Sequence, residues 1–479
     1  MKKQLLTAAI LCCLVIAGST AAPKSAKKKP KIPVSRVQTH MDGYLGDRID
    51  ACIRVRVCSE DPDLLVAPMR RQTETSLWQS EFWGKWTLGA IASYRYNKDP
   101  ELLRKIEGGV ESLLAAQQPD GYIGNYAPEA QLTNWDVWGR KYTMLGLLAY
   151  YDLTGDKKAL DGAVRLADHL LTQIPAVRQI ERTGIYRGMS SCSILEPIML
   201  LYNRTLDEKY LDFARYIVDR MESADGPQLI AKALDGVPVS ERFPLDDPSR
   251  GWFVWENGQK AYEMMSCYDG LLELYKVTND PRYLKAVEAT VTSIIADEIN
   301  IAGSGSSFEC FYKGKALQTE PAYHTMETCV TMTWMKLCYD LLRLTRNPLY
   351  ADQIERSAYN ALAASMKEDA SQIAKYSPLE GARSAGEEQC GMHVNCCNMN
   401  GPRAFALLPE AAVTDYGDEL FVNLYGPMSS TVRLDGGEVL LEQATSYPEQ
   451  GDIEIMIDPR KSFEFTVSLR IPAWSAVSM

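Results

Sequence analysis

"LLAYYDLTGDKKALDGA" spans residues 147–163, and its character changes in the middle from an apolar run to a polar turn. The run before the turn and the segment after it both have helical periodicity. Asp156 stands at the turn, where an aspartate caps the helix that follows by accepting a backbone N–H of its first turn. The stretch therefore predicts two helices joined as a hairpin.

The same pattern recurs at intervals of about 50 to 75 residues, which leaves room for a helical hairpin and a loop. The further copies are AIASYRYNKDPELLRKI (90–106), IMLLYNRTLDEKYLDFA (198–214), LLELYKVTNDPRYLKAV (271–287) and DLLRLTRNPLYADQIE (340–355), and the five turns fall at Asp99, Asp156, Asp207, Asp280 and Asn347. Five stacked units indicate either an open solenoid or a closed ring. The long, irregular loops between the pairs favour the ring, so we expect a mainly α-helical toroid.

Two of these loops are rich in glycine, proline and tryptophan. They are QQPDGYIGNYAPEAQLTNWDVW (117–138) and FPLDDPSRGWFVWENGQ (243–259), which carry Trp135, Asp136, Trp138, Trp252, Trp255 and Glu256. In a helical toroid such loops gather at one end and line a cleft. Aromatic rings beside carboxylates suit a carbohydrate, so these residues are candidate sugar contacts. The alternative is that the tryptophans anchor the loops to the core.

After about Pro409 the periodicity changes from helical to alternating. The segments TVRLDGGEVLLEQ (431–443), DIEIMID (452–458) and FEFTVSLRI (463–471) alternate apolar and polar residues. Alternation with Asp-Gly-Gly as a turn predicts antiparallel strands. A β-sandwich normally has more strands than these. We therefore expect a toroid over residues 37–409 and a partial, incomplete-looking β-sandwich over residues 410–479.

The N-terminus has the pattern of a secretory signal peptide. Lys2 and Lys3 precede an apolar run at residues 5–17, and small residues follow to residue 22. The run is too short for a membrane span. We expect a signal peptide over residues 1–22, a basic disordered leader over residues 23–36, and export to the periplasm or the outside of the cell. The net charge of −11 argues against nucleic acid as a partner.

Ten cysteines follow the signal segment, and four residues around them form a candidate metal site. Cys192, Cys267 and Cys338 lie in apolar helical patterns and are expected to be buried, Cys52 and Cys58 have a spacing that allows a pair, and Cys310 and Cys390 are unassigned. Glu327, Cys329, Cys396 and Cys397 together offer three thiolates and one carboxylate, a set that suits tetrahedral zinc. The residues alone leave two alternatives open, a Cys396–Cys397 disulfide or two buried thiols.

The motifs around these cysteines resemble the zinc-dependent β-L-arabinofuranosidases of glycoside hydrolase family 127 and its relatives. The matching stretches are YHTMETC (323–329), NCCNMNGPR (395–403), GYLGDR (43–48), GYIGNY (121–126) and LRIPAW (469–474). The resemblance implies an (α/α)6 toroid followed by β-sandwich material. It also implies that Glu327, Cys329, Cys396 and Cys397 bind Zn²⁺, and that Cys396 is the nucleophile of a retaining reaction.

The resemblance places the acid/base glutamate upstream of Glu327. Glu309, in SSFECFYKGK (306–315), is the best match, and Glu320 is the alternative. Relatives often carry histidines near the sugar where this chain has Trp135, Asp136, Trp138 and Arg140, so the sugar itself is left open. His324 and His393 lie near the two motifs and are candidate sugar contacts, or else surface histidines.

Three functions follow as hypotheses. The first is an exported hydrolase that releases an L-arabinofuranose-like sugar from an oligo- or polysaccharide, through a zinc-bound Cys396 and Glu309. The second is a toroidal glycosidase that uses Asp136 and Glu256 as its two carboxylates, with structural zinc or none. The third is a glycan-binding relative without turnover. Oligomeric state and linkage are not encoded in any pattern we recognise.

Overall fold

A computed structural model describes residues 36–243, 259–316, 318–319, 325–386 and 388–475. Its helices are α1 (Gly43–Ala51), α2 (Pro62–Arg71), α3 (Ser80–Asn97), α4 (Pro100–Ala115), α5 (Asp136–Thr154), α6 (Lys157–Gln173), α7 (Met189–Cys192), α8 (Leu195–Thr205), α9 (Glu208–Met221), α10 (Leu229–Leu234), α11 (Ala261–Thr278), α12 (Pro281–Asp297), α13 (Thr328–Thr345), α14 (Pro348–Ser357), α15 (Ala363–Ser365) and α16 (Cys396–Ala412). The predicted signal peptide and nearly all of the leader lie outside these ranges.

The five predicted turns are helix caps. The side chains of Asp99, Asp156, Asp207, Asp280 and Asn347 each accept a backbone N–H in the first turn of α4, α6, α9, α12 and α14. Proline occupies the first position of α4, α12 and α14, where no backbone N–H is needed. These caps fix where each hairpin turns, as the sequence predicts.

The helices close into a ring. The inner helices contact one another in the order α3, α5, α8, α11, α13 and α16, and α16 packs back against α3. Each of the first five inner helices packs against the helix that follows it, namely α4, α6, α9, α12 or α14. The sixth outer position beside α16 is taken by α1 and the π-helical turns at Cys52–Val57. The predicted (α/α)6 toroid is confirmed, and the chain's first helix completes its last pair.

Two small sheets are formed mostly by the strands that follow the toroid in the chain. The strands are β1 (Val37–Met41), β2 (Val413–Tyr416), β3 (Glu419–Val422), β4 (Met428–Arg433), β5 (Glu438–Thr445), β6 (Ile453–Pro459) and β7 (Thr466–Leu469). One sheet has the antiparallel order β1-β4-β5-β6, and the other has the order β2-β3-β7. The expected β-sandwich portion is therefore present, with one parallel pair, β3–β7, that the alternation did not predict.

The first strand was also missed by the sequence analysis. Strand β1 comes before the toroid in the chain, yet it pairs with β4 in the C-terminal sheet. Arg36, just before β1, forms ion pairs with Asp415 at 3.0 Å and with Asp435 at 2.6 Å. In the described part of the chain, helices fall short of the length and apolarity that crossing a membrane requires.

Candidate active site and metal centre

The four candidate metal ligands lie where two neighbouring inner helices begin. Glu327 is the residue before α13, and Cys329 is in the first turn of that helix. Cys396 and Cys397 are the first two residues of α16, whose cap, Asn395, accepts the backbone N–H of Asn398 at 3.0 Å. Because α13 and α16 pack side by side, the two helix starts bring all four side chains together.

The distances within this cluster fit a tetrahedral metal site. The four ligand atoms all lie within 4.8 Å of one another, and all four residues are buried. The Cys397 Sγ is 3.5 Å from both the Glu327 Oε1 and the Cys329 Sγ, and the Cys396 Sγ is 3.8 Å from the Cys397 Sγ. Zinc–sulfur and zinc–oxygen bonds of about 2.3 and 2.0 Å at tetrahedral angles would separate the ligands by about 3.5–3.8 Å.

These distances also exclude the disulfide, one of the two alternatives that the sequence left open. All ten cysteines among the described residues are free thiols, so neither Cys396–Cys397 nor Cys52–Cys58 is a disulfide. Cys192, Cys267 and Cys338 are buried in the core, as predicted. Only the cluster of Glu327, Cys329, Cys396 and Cys397 is found as a possible metal site within the described ranges.

The chemistry of the cluster fits a set of metal ligands. The Glu327 Oε2 atom is buried and has no hydrogen-bond partner among the described residues. Burial, together with the charges of Glu309 and Cys396, raises the pKa of Glu327 well above its usual value. Burial likewise raises the pKa values of the Cys329 and Cys397 thiols, whereas hydrogen bonds from those two thiols lower the pKa of Cys396. A buried carboxylate oxygen without a partner beside three buried thiols fits the predicted set of metal ligands.

Glu309 lies on a loop that is fixed to the start of α11. The backbone N–H of Ala261 donates to the Glu309 carbonyl at 2.9 Å, and that of Phe311 donates to the Gln259 carbonyl at 2.9 Å. Phe308 and Glu309 have φ values of 46° and 67°, in the left-handed region that side chains other than glycine seldom adopt. Such strain persists where the surroundings hold the backbone in place, and it is concentrated at functional sites.

A buried carboxylate holds the same loop from the other side. Glu298 accepts the backbone N–H groups of Tyr312, Lys313 and Gly314 at 3.2, 2.8 and 2.9 Å. These hydrogen bonds satisfy three donors in a segment without regular structure. The loop is therefore held at Glu309 itself and along the residues that follow it.

Two lysines and a tyrosine surround the Glu309 carboxylate. Lys260 forms an ion pair with its Oε2 atom, while Lys375 Nζ lies 3.1 Å from Oε1 and the Tyr376 hydroxyl donates to Oε1 at 3.1 Å. Burial raises the pKa of Glu309, but Lys260 and Lys375 outweigh it and hold that pKa below its usual value. The charge of Cys396 also raises the pKa of Glu309, though by less than the lysines lower it.

The segment that carries Lys375 and Tyr376 runs beside Glu327. Tyr376 and Glu327 form an antiparallel bridge, and the Thr328 backbone N–H donates to the Lys375 carbonyl at 3.0 Å. The Ser377 backbone N–H donates to the Thr325 carbonyl at 3.2 Å. We call these two paired segments, residues 325–328 and 375–377, the partition. It links the candidate acid/base to the metal ligands.

The predicted aromatic residues at the start of α5 pack against other side chains of this site. Trp138 is 1% exposed, donates its indole N–H to Glu81 and packs edge-on against Tyr262. Trp135 is half-buried and packs against Trp138 and Tyr186. The Tyr186 ring in turn lies 5.3 Å from the Lys260 ammonium group. Trp135 therefore contacts Tyr186, which lies beside Lys260, a neighbour of Glu309. The contact of Trp135 with a sugar stays a prediction.

Asp136 is held by several neighbours. Its Oδ2 accepts the Leu132 backbone N–H at 2.8 Å and lies 2.7 Å from the Arg140 Nη2, while its Oδ1 accepts the Tyr122 hydroxyl at 2.8 Å. It is 2% exposed. A carboxylate with both oxygens engaged in this way has the contacts of a group that fixes a loop to a helix.

The remaining predicted contacts are separate from the cluster or lie outside the described residues. His393 Nε2 is 2.6 Å from Glu60 Oε1, and the other oxygen of Glu60 accepts from Arg56 at 2.9 Å. The His393 side chain is 43% exposed. Trp252, Trp255, Glu256, His324 and the alternative acid/base Glu320 fall outside the described ranges. Their roles stay predictions.

Several charged residues of the site were missed. Glu81 and Lys85 form a buried pair at 2.7 Å on α3, and Glu263 on α11 is 3% exposed, with its Oε2 atom lacking a partner among the described residues. Burial, opposed by Lys260, raises the pKa of Glu263 to about 7. The available signal was a charged residue in the first turn of an otherwise apolar inner helix, as in SEFWGKW (80–86).

Comparison with known proteins agrees with this arrangement. The family profile described as "Beta-L-arabinofuranosidase, GH127 catalytic domain" matches residues 47–410, and that of the GH127 middle domain matches residues 419–479. A non-reducing end β-L-arabinofuranosidase of Bifidobacterium longum subsp. longum is 22% identical over 430 residues. That match covers 82% of this chain and 64% of the relative, so the chain spans less than two thirds of the curated relative's length.

Solved structures share the fold. A GH127 β-L-arabinofuranosidase from Geobacillus stearothermophilus T6 has a TM-score of 0.70 at 22% identity, over 91% of this chain and 75% of that one. A second GH127 β-arabinofuranosidase has a TM-score of 0.69 at 22% identity, over 92% and 71%. Since the catalytic-domain profile alone matches well over half of the chain, this protein belongs to the β-L-arabinofuranosidase family, glycoside hydrolase family 127.

Proposed function

We propose that this protein is a retaining glycoside hydrolase that releases an L-arabinofuranose-like sugar from a glycan, with zinc at the thiol cluster. The observation that carries the proposal is that Tyr376, which donates to the Glu309 carboxylate, pairs with Glu327 of the buried cluster of Glu327, Cys329, Cys396 and Cys397. A retaining glycosidase needs one nucleophile and one acid/base group at the scissile bond. This cluster and its neighbour supply both.

Cys396 is the nucleophile in this proposal. Zinc, when bound by the four residues, would keep the thiols deprotonated and fixed in place. In the first step the Cys396 Sγ forms a bond to the anomeric carbon while the bond from that carbon to the leaving oxygen breaks. Cys396 is the first residue of α16, where the positive end of the helix dipole favours a thiolate.

Glu309 moves the proton. It donates a proton to the leaving oxygen in the first step and accepts one from the attacking water in the second, in which the carbon–sulfur bond breaks. Tyr376 and the two lysines orient its carboxylate. Because those lysines favour the charged form, they lower the pKa of Glu309, and the fraction that carries the required proton falls as pH rises, so the rate should depend on pH.

The alternative with two carboxylates has less support. It requires Asp136 to be free to reach a sugar, whereas both of its oxygens are engaged by Tyr122, Arg140 and the Leu132 backbone. The second alternative, a glycan-binding relative without turnover, requires binding and no hydrolysis. We further propose, from the N-terminal sequence pattern alone, that the protein is exported.

Covalent labelling tests the proposal. An aryl β-L-arabinofuranoside should be hydrolysed, and a mechanism-based mimic of the sugar, such as a cyclic epoxide, should attach to the Cys396 sulfur. Peptide mapping should find the label on Cys396 and on neither Cys397 nor Cys329. Label on a carboxylate such as Asp136 or Glu256 would favour the two-carboxylate alternative and leave the cluster a scaffold.

A further inference from the structure

A separate cavity lies on the other side of the partition from the thiol cluster. Its volume is about 570 Å³, within the range of about 300 to 1,000 Å³ typical of ligand sites. The residues that give it its character are Tyr44, Arg48, Tyr359, Glu368, Ser377 and Arg383. None of the candidate catalytic residues or metal ligands lines it.

The partition separates this cavity from the candidate active site by the thickness of a chain segment. Met326 and Ser377 line the cavity. Their neighbours in the chain, Glu327 and Tyr376, belong to the metal cluster and to the hydrogen bonds of Glu309. Adjacent Cα atoms are about 3.8 Å apart, so the two sites share one wall while remaining distinct.

Two polar atoms at the cavity are buried and unsatisfied. Ser377 is 3% exposed, and its Oγ atom has no hydrogen-bond partner among the described residues. The Arg48 Nε atom also lacks a hydrogen-bond partner among the described residues. A buried donor without a partner costs about 1–3 kcal/mol, and such groups in native structures call for an explanation. A ligand in the cavity would supply the missing partners.

The remaining lining has the character of a sugar site. The Tyr44 and Tyr359 rings stack with centroids 6.0 Å apart, and Tyr44 is 45% exposed. The Arg48 guanidinium group lies 4.4 Å from the centre of the Tyr44 ring. Arg383 is held in position at the cavity by the carbonyls of Ala364 and Met366, at 2.6 and 3.1 Å. Aromatic faces beside planar hydrogen-bonding groups suit a hexose ring.

The charge of the lining favours an acidic ligand. Two arginines, Arg48 and Arg383, accompany one carboxylate, Glu368, among the lining residues. This excess of positive charge occurs in a chain whose net charge is −11. Guanidinium groups bind carboxylates through charge-assisted hydrogen bonds, which are about twice as strong as neutral ones.

We propose that this cavity is a second carbohydrate-binding site, and that it takes a sugar unit bearing a carboxylate, that is, a uronic acid residue of the glycan. The proposal deepens the proposed function, since the ligand would be part of the same glycan. In this proposal Arg48 binds the carboxylate, Ser377 forms a hydrogen bond with a ring hydroxyl, and Tyr44 packs against the face of the sugar ring.

Binding of a non-hydrolysable probe tests it. A trisaccharide of galacturonate has no arabinofuranose to lose, and a trisaccharide of galactose is its neutral counterpart. Calorimetric titration of the full-length protein should show binding of the acidic probe and little binding of the neutral one. Arg48→Met should weaken binding of the acidic probe about tenfold, equivalent to ~1.4 kcal/mol. Equal binding of both probes, or binding of neither, would overturn the proposal.

Two further variants test whether a loss of probe binding is specific to this cavity. Arg460→Met, which removes an exposed arginine outside the cavity, should leave probe binding unchanged. Ser377→Ala removes a hydroxyl that lacks a hydrogen-bond partner, so it should not lower the melting temperature of the free protein. It should, however, weaken binding of the acidic probe. Unchanged binding in both Arg48→Met and Ser377→Ala would contradict the assignment.

A competition experiment completes the test. Displacement of the acidic probe by a small arabinofuranoside would place it in the active site instead and would also overturn the proposal. Hydrolysis of the aryl arabinofuranoside by the unmodified protein is measured in parallel. Its absence with probe binding intact would count against the proposed function alone.

Discussion

At the scale of single residues, the charge of Glu309 decides when the proposed reaction can begin. An acid that must donate a proton is favoured by a raised pKa, whereas the contacts with Lys260 and Lys375 lower the pKa of Glu309 against the effect of burial. The same contacts suit the second step, in which Glu309 acts as a base. The site therefore has a carboxylate adjusted more to accepting a proton than to donating one.

Removing the Glu309 carboxyl group should slow the reaction. Glu309→Gln should slow hydrolysis by about two to four orders of magnitude.

Removing one lysine beside Glu309 should shift the pH dependence of the reaction. Because the active form in the first step is protonated, kcat/KM falls as pH rises through the pKa of Glu309. Lys375→Met removes a positive charge 3.1 Å from the carboxylate and so raises that pKa, and the alkaline limb of the pH profile should move to higher pH.

The exposed Lys367 provides the control for that change. Lys367→Met removes the same charge from the same part of the chain and should leave the profile in place. A limb that moves to lower pH in Lys375→Met would contradict the assignment of Glu309. So would a Glu320→Gln variant that is inactive while Glu309→Gln is nearly normal.

The sequence predicted the cluster of one glutamate and three cysteines but not the residues that surround Glu309. Glu327, Cys329, Cys396 and Cys397 were found because each pair lies within a short motif at a helix start. Lys375 and Tyr376 come from an irregular segment without periodicity, and only the folded chain brings it beside Glu327. Contacts between irregular segments that are far apart in the chain produce no local sequence pattern from which they could be predicted.

At the scale of elements, the cap of α16 positions two of the four candidate metal ligands. Asn395 accepts the N–H of Asn398 at 3.0 Å and donates to the Ala385 carbonyl at 3.2 Å, so it fixes both the helix start and the loop before it. The two thiols that follow directly depend on where that helix begins.

Removing this cap should weaken metal binding as well as folding. Asn395→Ala should cost about 1 kcal/mol of unfolding free energy and lower the affinity for zinc, measured by competition with a chelator. Asn347 caps α14 in the same way, by accepting the Leu349 N–H at 3.0 Å, but it is remote in the chain from the thiols. Asn347→Ala should show the same loss of stability with unchanged zinc affinity, and equal zinc affinity in the two variants would contradict the role of the α16 cap.

Caps were the most predictable elements, and strand pairing was the least. Five Asp or Asn caps followed from local chemistry at each turn. The pairing of β1 with β4 and the parallel pair β3–β7 did not, because each joins segments that are far apart in sequence. Alternation identifies a strand but carries no information about its neighbour.

At the scale of the whole molecule, one buried arginine joins the C-terminal strands to the toroid. Arg470 lies just after β7 and forms ion pairs with Asp352 and Glu355 on α14, the latter at 2.6 Å. All three side chains are less than a tenth exposed. Loss of the cation would leave two carboxylates buried together.

Arg470→Met should therefore lower the unfolding free energy by about 3–5 kcal/mol, since breaking a buried ion pair leaves charge uncompensated. Arg433→Met is the matched control, because Arg433 is 75% exposed and its ion pair with Glu438 is long, at 3.6 Å. That control should change stability by less than about 1 kcal/mol. Urea unfolding of both variants measures the difference, and similar midpoints would show that Arg470 does not anchor the strands.

The pairing of β1 with β4 has a consequence for how the chain is made. Thr39 and Ser430 are hydrogen-bonded through their side chains at 2.9 Å, although 391 residues separate them. A ribosome that adds about 5–20 residues per second needs roughly 20–80 s to travel between them. During that interval β1 has emerged while the strand it pairs with does not yet exist. Its apolar residues therefore have no partner strand until residues 428–433 have been synthesised.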